Sequence, residues 1–390
     1  MKQLLGRPRT IEQTIHHRKI SWLELFYDLV FAVVLARLTD GIIEHMTWQG
    51  WLRGALIFAW FFWSWGETSG YFDNHGNATV LNLLFINVQL LITAATAIFI
   101  PNAVGGDFRG LTYGLLCMQL MLALIWGNTA RFDATHAAAA RLWSRSDTAV
   151  LVLLLIAQFF LPKLRLPLLV IAILCNYGII FIGNRVLRAE YESHQMPFGV
   201  SDSLLERYGL LAMIALGELL TGLISAAPNP LHLANLLEFI LGGIFVALIA
   251  GIYYQVLGEL HVRTHSPLQS MVIRWLLTLE VYFIMVVGIL LTVMRDRHTL
   301  AVRGDFALAT YVTLLIMWVI QRLTQRGENF HAAGGWFLLS ELLLTGLIAL
   351  APANWTLVLM DIMLGALLAF YLHRVYRDAD DQNIAPDSYH

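Results

Sequence analysis

Long apolar runs recur along almost the whole chain, and no other feature restricts its fold as strongly. Read by hydropathy and length, they cover residues 22 to 43, 51 to 67, 79 to 100, 109 to 127, 147 to 161, 166 to 185, 207 to 226, 235 to 257, 271 to 294, 304 to 322, 335 to 351 and 354 to 373. At a rise of about 1.5 Å per residue, such runs match the ~30 Å hydrocarbon core of a bilayer. Helices are the conformation they require, because backbone groups in lipid find no water and must bond within their own segment. The expected fold is all-α: a polytopic membrane bundle of about twelve transmembrane helices. Composition agrees, at 58% hydrophobic and only 13% charged residues, with a mean hydropathy of +0.65. Soluble globular domains carry nearly twice that share of charge.

The connections between runs are short, so no separate soluble domain is expected to hold a reaction centre. Residues 1–20, "MKQLLGRPRTIEQTIHHRKI", are basic and polar without the apolar core of a cleaved leader, and are read as a tail ahead of a first span that stays as an anchor. If the spans alternate, most of the 25 Lys and Arg fall on the side of the N-terminus, which places both termini in the cytoplasm. A net charge of −2 gives no field for nucleic acid. Cys117 and Cys175 both fall inside spans, which leaves no disulfide framework or CxxC pair. His261 and His265 sit four residues apart with Glu259 near, but no third convergent ligand accompanies them, so they read as a solvated loop pair and no metal is expected. H-E-x-x-H, G-x-S-x-G and phosphate-loop motifs are missing, and neither catalysis nor a cofactor is expected.

Several stretches echo one another in order. "GDFRGLTY" (106 to 113) returns as "GDFALATY" (304 to 311), and "RVLR" (185 to 188) as "RVYR" (374 to 377). Pro162 is matched by Pro352, and Glu24 with Thr39 by Glu206 with Thr221. The reading is a duplication: a first six-helix repeat over 21–190 and a second over 191–377, parallel in orientation, followed by an acidic disordered tail over 378–390.

Charges inside the spans are the next question, since each costs on the order of 3 kcal/mol at the bilayer centre and normally faces a partner in the bundle interior. The first run alone, "SWLELFYDLVFAVVLARLTDGII", carries Glu24, Asp28, Arg37 and Asp40. Glu24 and Asp28 are one turn apart on one helical face, whereas Arg37 lies about 180° around from Asp28. The repeat alignment sets Glu218 at the depth of Arg37, which suggests an ion pair between the repeats. Glu24, Asp28, Glu206, Arg207 and Glu218 are the candidates for a substrate or proton pathway, and Glu67, Asp73, Glu280, Glu341 and Asp361 are secondary polar candidates. Twelve Trp, with "WFFWSW" at 60 to 65, read mainly as packing.

Two of these stretches carry a family resemblance. "ELFYDLVFAVVLARLTDGI" resembles the opening signature of the bacterial low temperature requirement A (LtrA) family, and "LLERYGLLAMIALGELLTGL" (204 to 223) is similar to its second signature. The resemblance implies that Glu24, Phe26 and Asp28, with Glu206, Arg207, Gly209, Gly217 and Glu218, occupy family positions. Two departures stand out: "SGYFD" (69 to 73) lacks an Arg that many members carry there, and "IYYQVLGEL" replaces an aromatic cluster ending in Y-F-D. What the family implies is a bacterial inner-membrane protein linked to growth in the cold, with no reaction attached. The expected function is a transporter-like role for an unidentified small solute or ion, with possible proton coupling. The competing readings are a non-transporting scaffold or sensor, and an intramembrane enzyme acting on a lipid or quinone.

Overall fold

A computed structural model of the chain describes residues 7–13, 18–225, 233–258, 260–297, 299–324 and 334–381. Its helices are α1 (Trp22–Glu44), α2 (Trp48–His75), α3 (Val80–Ala97), α4 (Ile100–Gly105), α5 (Arg109–Phe132), α6 (Ala137–Leu155), α7 (Arg165–Ser193), α8 (Asp202–Ser225), α9 (Leu233–Leu257), α10 (Pro267–Asp296), α11 (Leu300–Thr324), α12 (Gly334–Leu350) and α13 (Ala353–Asp381). A two-residue strand β1 (Gly199–Val200) pairs antiparallel with β2 (Val262–Arg263). Among the described residues, nine helices are long and apolar enough to cross a membrane. Many of their large apolar side chains face outward, including Phe160 at 76% exposure, Ile182 at 69% and Phe181 at 65%, as lipid-facing surfaces require. Helix α1 is not among the nine; it has the length, but every stretch of it long enough to cross carries three or more charged residues.

Local chemistry explains where helices start and stop. Ser21 caps α1 by accepting from the Glu24 N–H, and Thr47 caps α2 by accepting from the Gly50 N–H. The third apolar run ends in a break: Ala97 closes α3, Pro101 sits in the first turn of the short α4, and Gly106 stops α4 at φ 116. Only glycine adopts that left-handed conformation without strain. The end of α6 widens into a π-type turn over Ile156–Phe160 ahead of Pro162.

The chain divides into two compact units. The first holds Met1–Leu211 and His261–Thr278, and the second Ala212–Leu260 and Leu279–His390, so α8 and α10 each contribute to both. In the first unit α5 packs along α6, α6 along α7, and α1 against α2, α3 and α4. Glycine brings some of these backbones close, for a Cβ on Gly114 of α5 would stand 2.1 Å from the Thr96 hydroxyl oxygen of α3. The core is aromatic: Tyr27, Phe31, Phe62 and Trp65 touch in series, and all of Trp60 to Trp65 is buried. In the second unit α9 packs along α13, α11 along α12, and Phe245 meets Phe306 at 5.1 Å between ring centroids.

The echoed stretches differ in how they fold. Gly106 is a left-handed stop between helices, whereas Gly304 lies inside α11. α7 and α13 are alike: both have 29 residues, begin just after Pro162 or Pro352, and carry "RVLR" or "RVYR" near their ends. Residues 378–381, expected to start a tail, continue α13, and 382–390 lie outside the described residues.

Candidate functional site: a buried chain of charges

The first turn of α1 begins the site. Ser21 also donates its hydroxyl to Glu24 Oε1 at 2.8 Å, so the capping residue orients the first carboxylate. Arg18, just ahead of the helix, holds the same carboxylate with two bonds, Nη1 to Oε1 at 2.8 Å and Nη2 to Oε2 at 2.7 Å. These bonds raise the Arg18 pKa further. One turn on, Asp28 faces the same side, and Arg207 of α8 grips it through Nε to Oδ2 at 2.8 Å and Nη2 to Oδ1 at 2.6 Å. Trp65 of α2 donates its indole N–H to Asp28 Oδ1 at 2.7 Å, and the Arg207 guanidinium lies 5.5 Å from the centre of that ring. The third nitrogen, Nη1, stands 3.5 Å from Glu24 Oε2.

The result is an alternating series, Arg18, Glu24, Arg207, Asp28, in which Arg207 and Asp28 are each 1% exposed and Glu24 3%. Charges sealed from water this completely are tolerated only when paired and hydrogen-bonded. Arg207 is presented by a second anchor one turn earlier on α8. Asp73, at the end of α2, accepts from the hydroxyls of Ser201 (2.6 Å) and Ser203, and Ser203 shares a helical face with Arg207. Arg9 completes the end of α2 by donating to the backbone carbonyls of Asp73 and Asn74, groups that the helix terminus leaves unpaired. Burial and the nearby Arg18 lower the Arg9 pKa.

Farther along the same N-terminal segment the contacts continue. The Arg9 N–H donates to the His75 carbonyl at 3.0 Å, and His75 Nδ1 donates back to the Arg9 carbonyl at 2.9 Å. The Ile11 N–H donates to Asp133 at 2.8 Å. Residues 7–13 are therefore fastened to the ends of α2 and α5, where a polar tail was expected.

The remaining candidates fall elsewhere. Glu206 is exposed, because its neighbour Arg207 occupies the buried face about 100° away. Arg37 and Asp40 are exposed on α1, in the first unit, and Glu218 is half-buried on the part of α8 that belongs to the second unit. Glu67 is buried and accepts from the Trp126 indole at 2.9 Å. In the second unit Glu280, Glu341 and Asp361 are buried, and among the described residues neither oxygen of Glu280 or of Asp361 has a hydrogen-bond partner. Phe26 and Gly217 are exposed. Glu259 lies outside the described residues, and no group of His, Cys, Asp and Glu among the described residues is arranged to hold a metal ion. Sequence reasoning did not single out Trp65, Ser201, Ser203 or Arg18 as parts of the site; the nearest signals were a Trp in an aromatic run and an Arg six residues before Glu24.

These features define a multi-pass helical membrane protein with a cluster of paired charges buried in one of its units. Comparison with known families places it further. The family model described as bacterial low temperature requirement A protein (LtrA) matches residues 19–376, nearly the whole chain, and the protein belongs to that family. No curated protein and no solved structure matches the chain.

Proposed function

We propose that the protein is a transporter-like membrane protein that moves a small solute or ion, coupled to protons, rather than an enzyme. One observation carries the reading: Arg207 reaches two carboxylates one turn apart, bonded to Asp28 and 3.5 Å from Glu24, which Arg18 holds from the other side. Such an arginine has two positions available. With Arg18 on Glu24 it stays on Asp28; once Arg18 lets go, Nη1, already 3.5 Å from Glu24 Oε2, closes on that carboxylate and the guanidinium tilts away from Asp28. Elements with two discrete arrangements are what alternating access needs. Arg18 is the more exposed end of the series, so Glu24 is the carboxylate that a proton reaches first, and its neutralisation frees Arg18. Glu280 is the corresponding proton-carrying candidate of the second unit.

The test is flux in proteoliposomes, read with an internal pH dye under an imposed gradient and with a panel of metabolites outside. Solute-dependent proton movement is expected from the native protein, and is expected to vanish with Glu24→Gln while the protein still elutes as a folded species. If the native protein moves neither protons nor solute, the transport reading is wrong. A scaffold would use the same charges as a staple, and Glu24→Gln would then change thermal stability alone.

A further inference from the structure

A second feature of the first unit is unexplained by the charge series. Helices α2, α7, α8 and α10 wall an open-sided cleft with a cavity volume of about 20 Å³. One side is aromatic, running from Trp63 through Tyr177 to Trp275 with ring centroids 5.0 Å and 5.5 Å apart. Tyr208 adds a further ring next to the buried Arg207. The two ionisable groups with opposite charge in this lining are Glu67 and Arg274.

These two form no ion pair with each other, and each is tied back to a wall. Glu67 Oε2 accepts from the Trp126 indole, and Arg274 Nη2 donates to the Gly66 carbonyl at 2.7 Å. Glycines make room for the guanidinium: a Cβ on Gly70 would stand 3.3 Å from Arg274 Nη2, and one on Gly66 3.6 Å. Arg274 Nε is buried and makes no hydrogen bond among the described residues. A positive and a negative group thus line one small space without an ion-pair contact, and the Nε–H of the cation is unused.

A ligand with a single charge fits such a space poorly, since satisfying one group brings it toward a like charge on the other. A ligand with an ammonium and an acid group a few bonds apart satisfies both. The rings attract its ammonium through their faces, and the arginine fork matches a carboxylate or phosphate. A cavity of about 20 Å³ takes little more than a water, so the ligand is small, with its charged ends on the lining and the rest of it in the open mouth. We propose that this cleft binds a small zwitterion, its ammonium toward Glu67 and the rings and its acid group on Arg274. As a substrate class the inference rests on the transport reading above; as a binding site it is tested separately. Two sources supply this chemistry, a free amino acid or betaine and the headgroup of phosphatidylethanolamine.

The experiment titrates the full-length protein, in nanodiscs of phosphatidylglycerol, with the standard L-amino acids and glycine betaine by calorimetry, using propionate and ethanolamine as single-charge controls. At least one zwitterion is expected to bind tenfold or more tighter than either control. Arg274→Gln is expected to weaken it at least tenfold, and Glu67→Gln to erase its advantage over propionate. Should Arg274→Gln not fold, Arg274→Lys keeps the charge but loses the fork and is expected to weaken binding likewise. In a second arm, native mass spectrometry compares lipid retained from discs of phosphatidylethanolamine and of phosphatidylglycerol. Retention of the ethanolamine lipid, lost in Arg274→Gln, supports the site with a lipid occupant and removes the transport role. Binding of a free zwitterion without its uptake by proteoliposomes supports the site and again overturns transport alone. If neither a free zwitterion nor the ethanolamine lipid is preferred over the single-charge controls and the anionic lipid, the inference fails.

Discussion

Replacing Asp28 by Asn is the sharpest probe of the charge series, because it removes a charge with almost no change in shape. Asp28 accepts three hydrogen bonds, two from Arg207 and one from Trp65. An amide offers a single acceptor oxygen, so turning it toward Nη2 and the indole presents its NH₂ to the Arg207 Nε–H, two donors facing each other. Arg207 then remains 1% exposed with only Glu24 at 3.5 Å, and Glu24 is already held by Arg18. Removing one member of a buried pair costs about 3–5 kcal/mol. The shared Glu24 and the Trp65 face place the expectation at the low end, about 3 kcal/mol, or roughly a hundredfold in the folding equilibrium. For a unit of this size that corresponds to roughly 6–12 °C in midpoint temperature. The assay is thermal denaturation in detergent, followed by Trp fluorescence and by loss of the monodisperse peak. Asp28→Asn combined with Arg207→Met removes the stranded cation as well, and is expected to recover more than half of the loss. A single variant that melts within 1 °C of the native protein, or a double variant with the sum of the two single losses, would refute the reasoning.

Three further outcomes follow from the same geometry. Ser203→Ala leaves Asp73 with Ser201 and is expected to cost about 1 kcal/mol, measured in the same melt, because a hydrogen bond to a charged group is lost while the acceptor stays partly satisfied. Arg18→Gln removes both bonds to Glu24; Arg207 should then shift toward Glu24, which a changed accessibility of a cysteine placed at Ser203 would report, and an unchanged labelling rate would count against the two-position model. Gly114→Val puts carbon where the Thr96 side chain lies and is expected to destabilise by about 1–3 kcal/mol by forcing α3 from α5, whereas the same change at exposed Gly217, with nothing within 4 Å, is expected to leave packing alone.

How far the site was readable from the residues depends on what each signal encodes. Glu24 and Asp28 were conspicuous because carboxylates in an apolar run are costly, and their spacing of four put them on one face. Arg207 was readable as a neighbour of that face, but the adjacent Glu206 was just as conspicuous, and only burial separates two residues that differ by one step around a helix. Arg37 and Glu218 were joined by repeat register alone, which carries depth along a helix and no direction around it. Trp65 was hidden among six consecutive aromatic or small residues, where nothing marks the one ring that aims its N–H at a carboxylate. Among the described residues the apolar runs fall on helices, nine of them long and apolar enough to cross a membrane, since length and hydropathy act over many residues. The six-residue α4 and the two-residue strands are shorter than any periodicity can register, and they depend on Pro101, Gly106 and backbone pairing instead.

The fastening of residues 7–13 has a consequence for how the protein is made. Arg9 and Ile11 leave the ribosome well before the groups that receive them, since the Asp73 and His75 carbonyls and the Asp133 carboxylate belong to the ends of the second and fifth helices. The segment must therefore wait, hydrated, while more than a hundred residues are synthesised, and it closes over the bundle only afterwards. A truncation placed at residue 19, where the family match begins, would leave α1 to α13 in the chain and yet delete this late closing step together with the hold of Arg18 on Glu24.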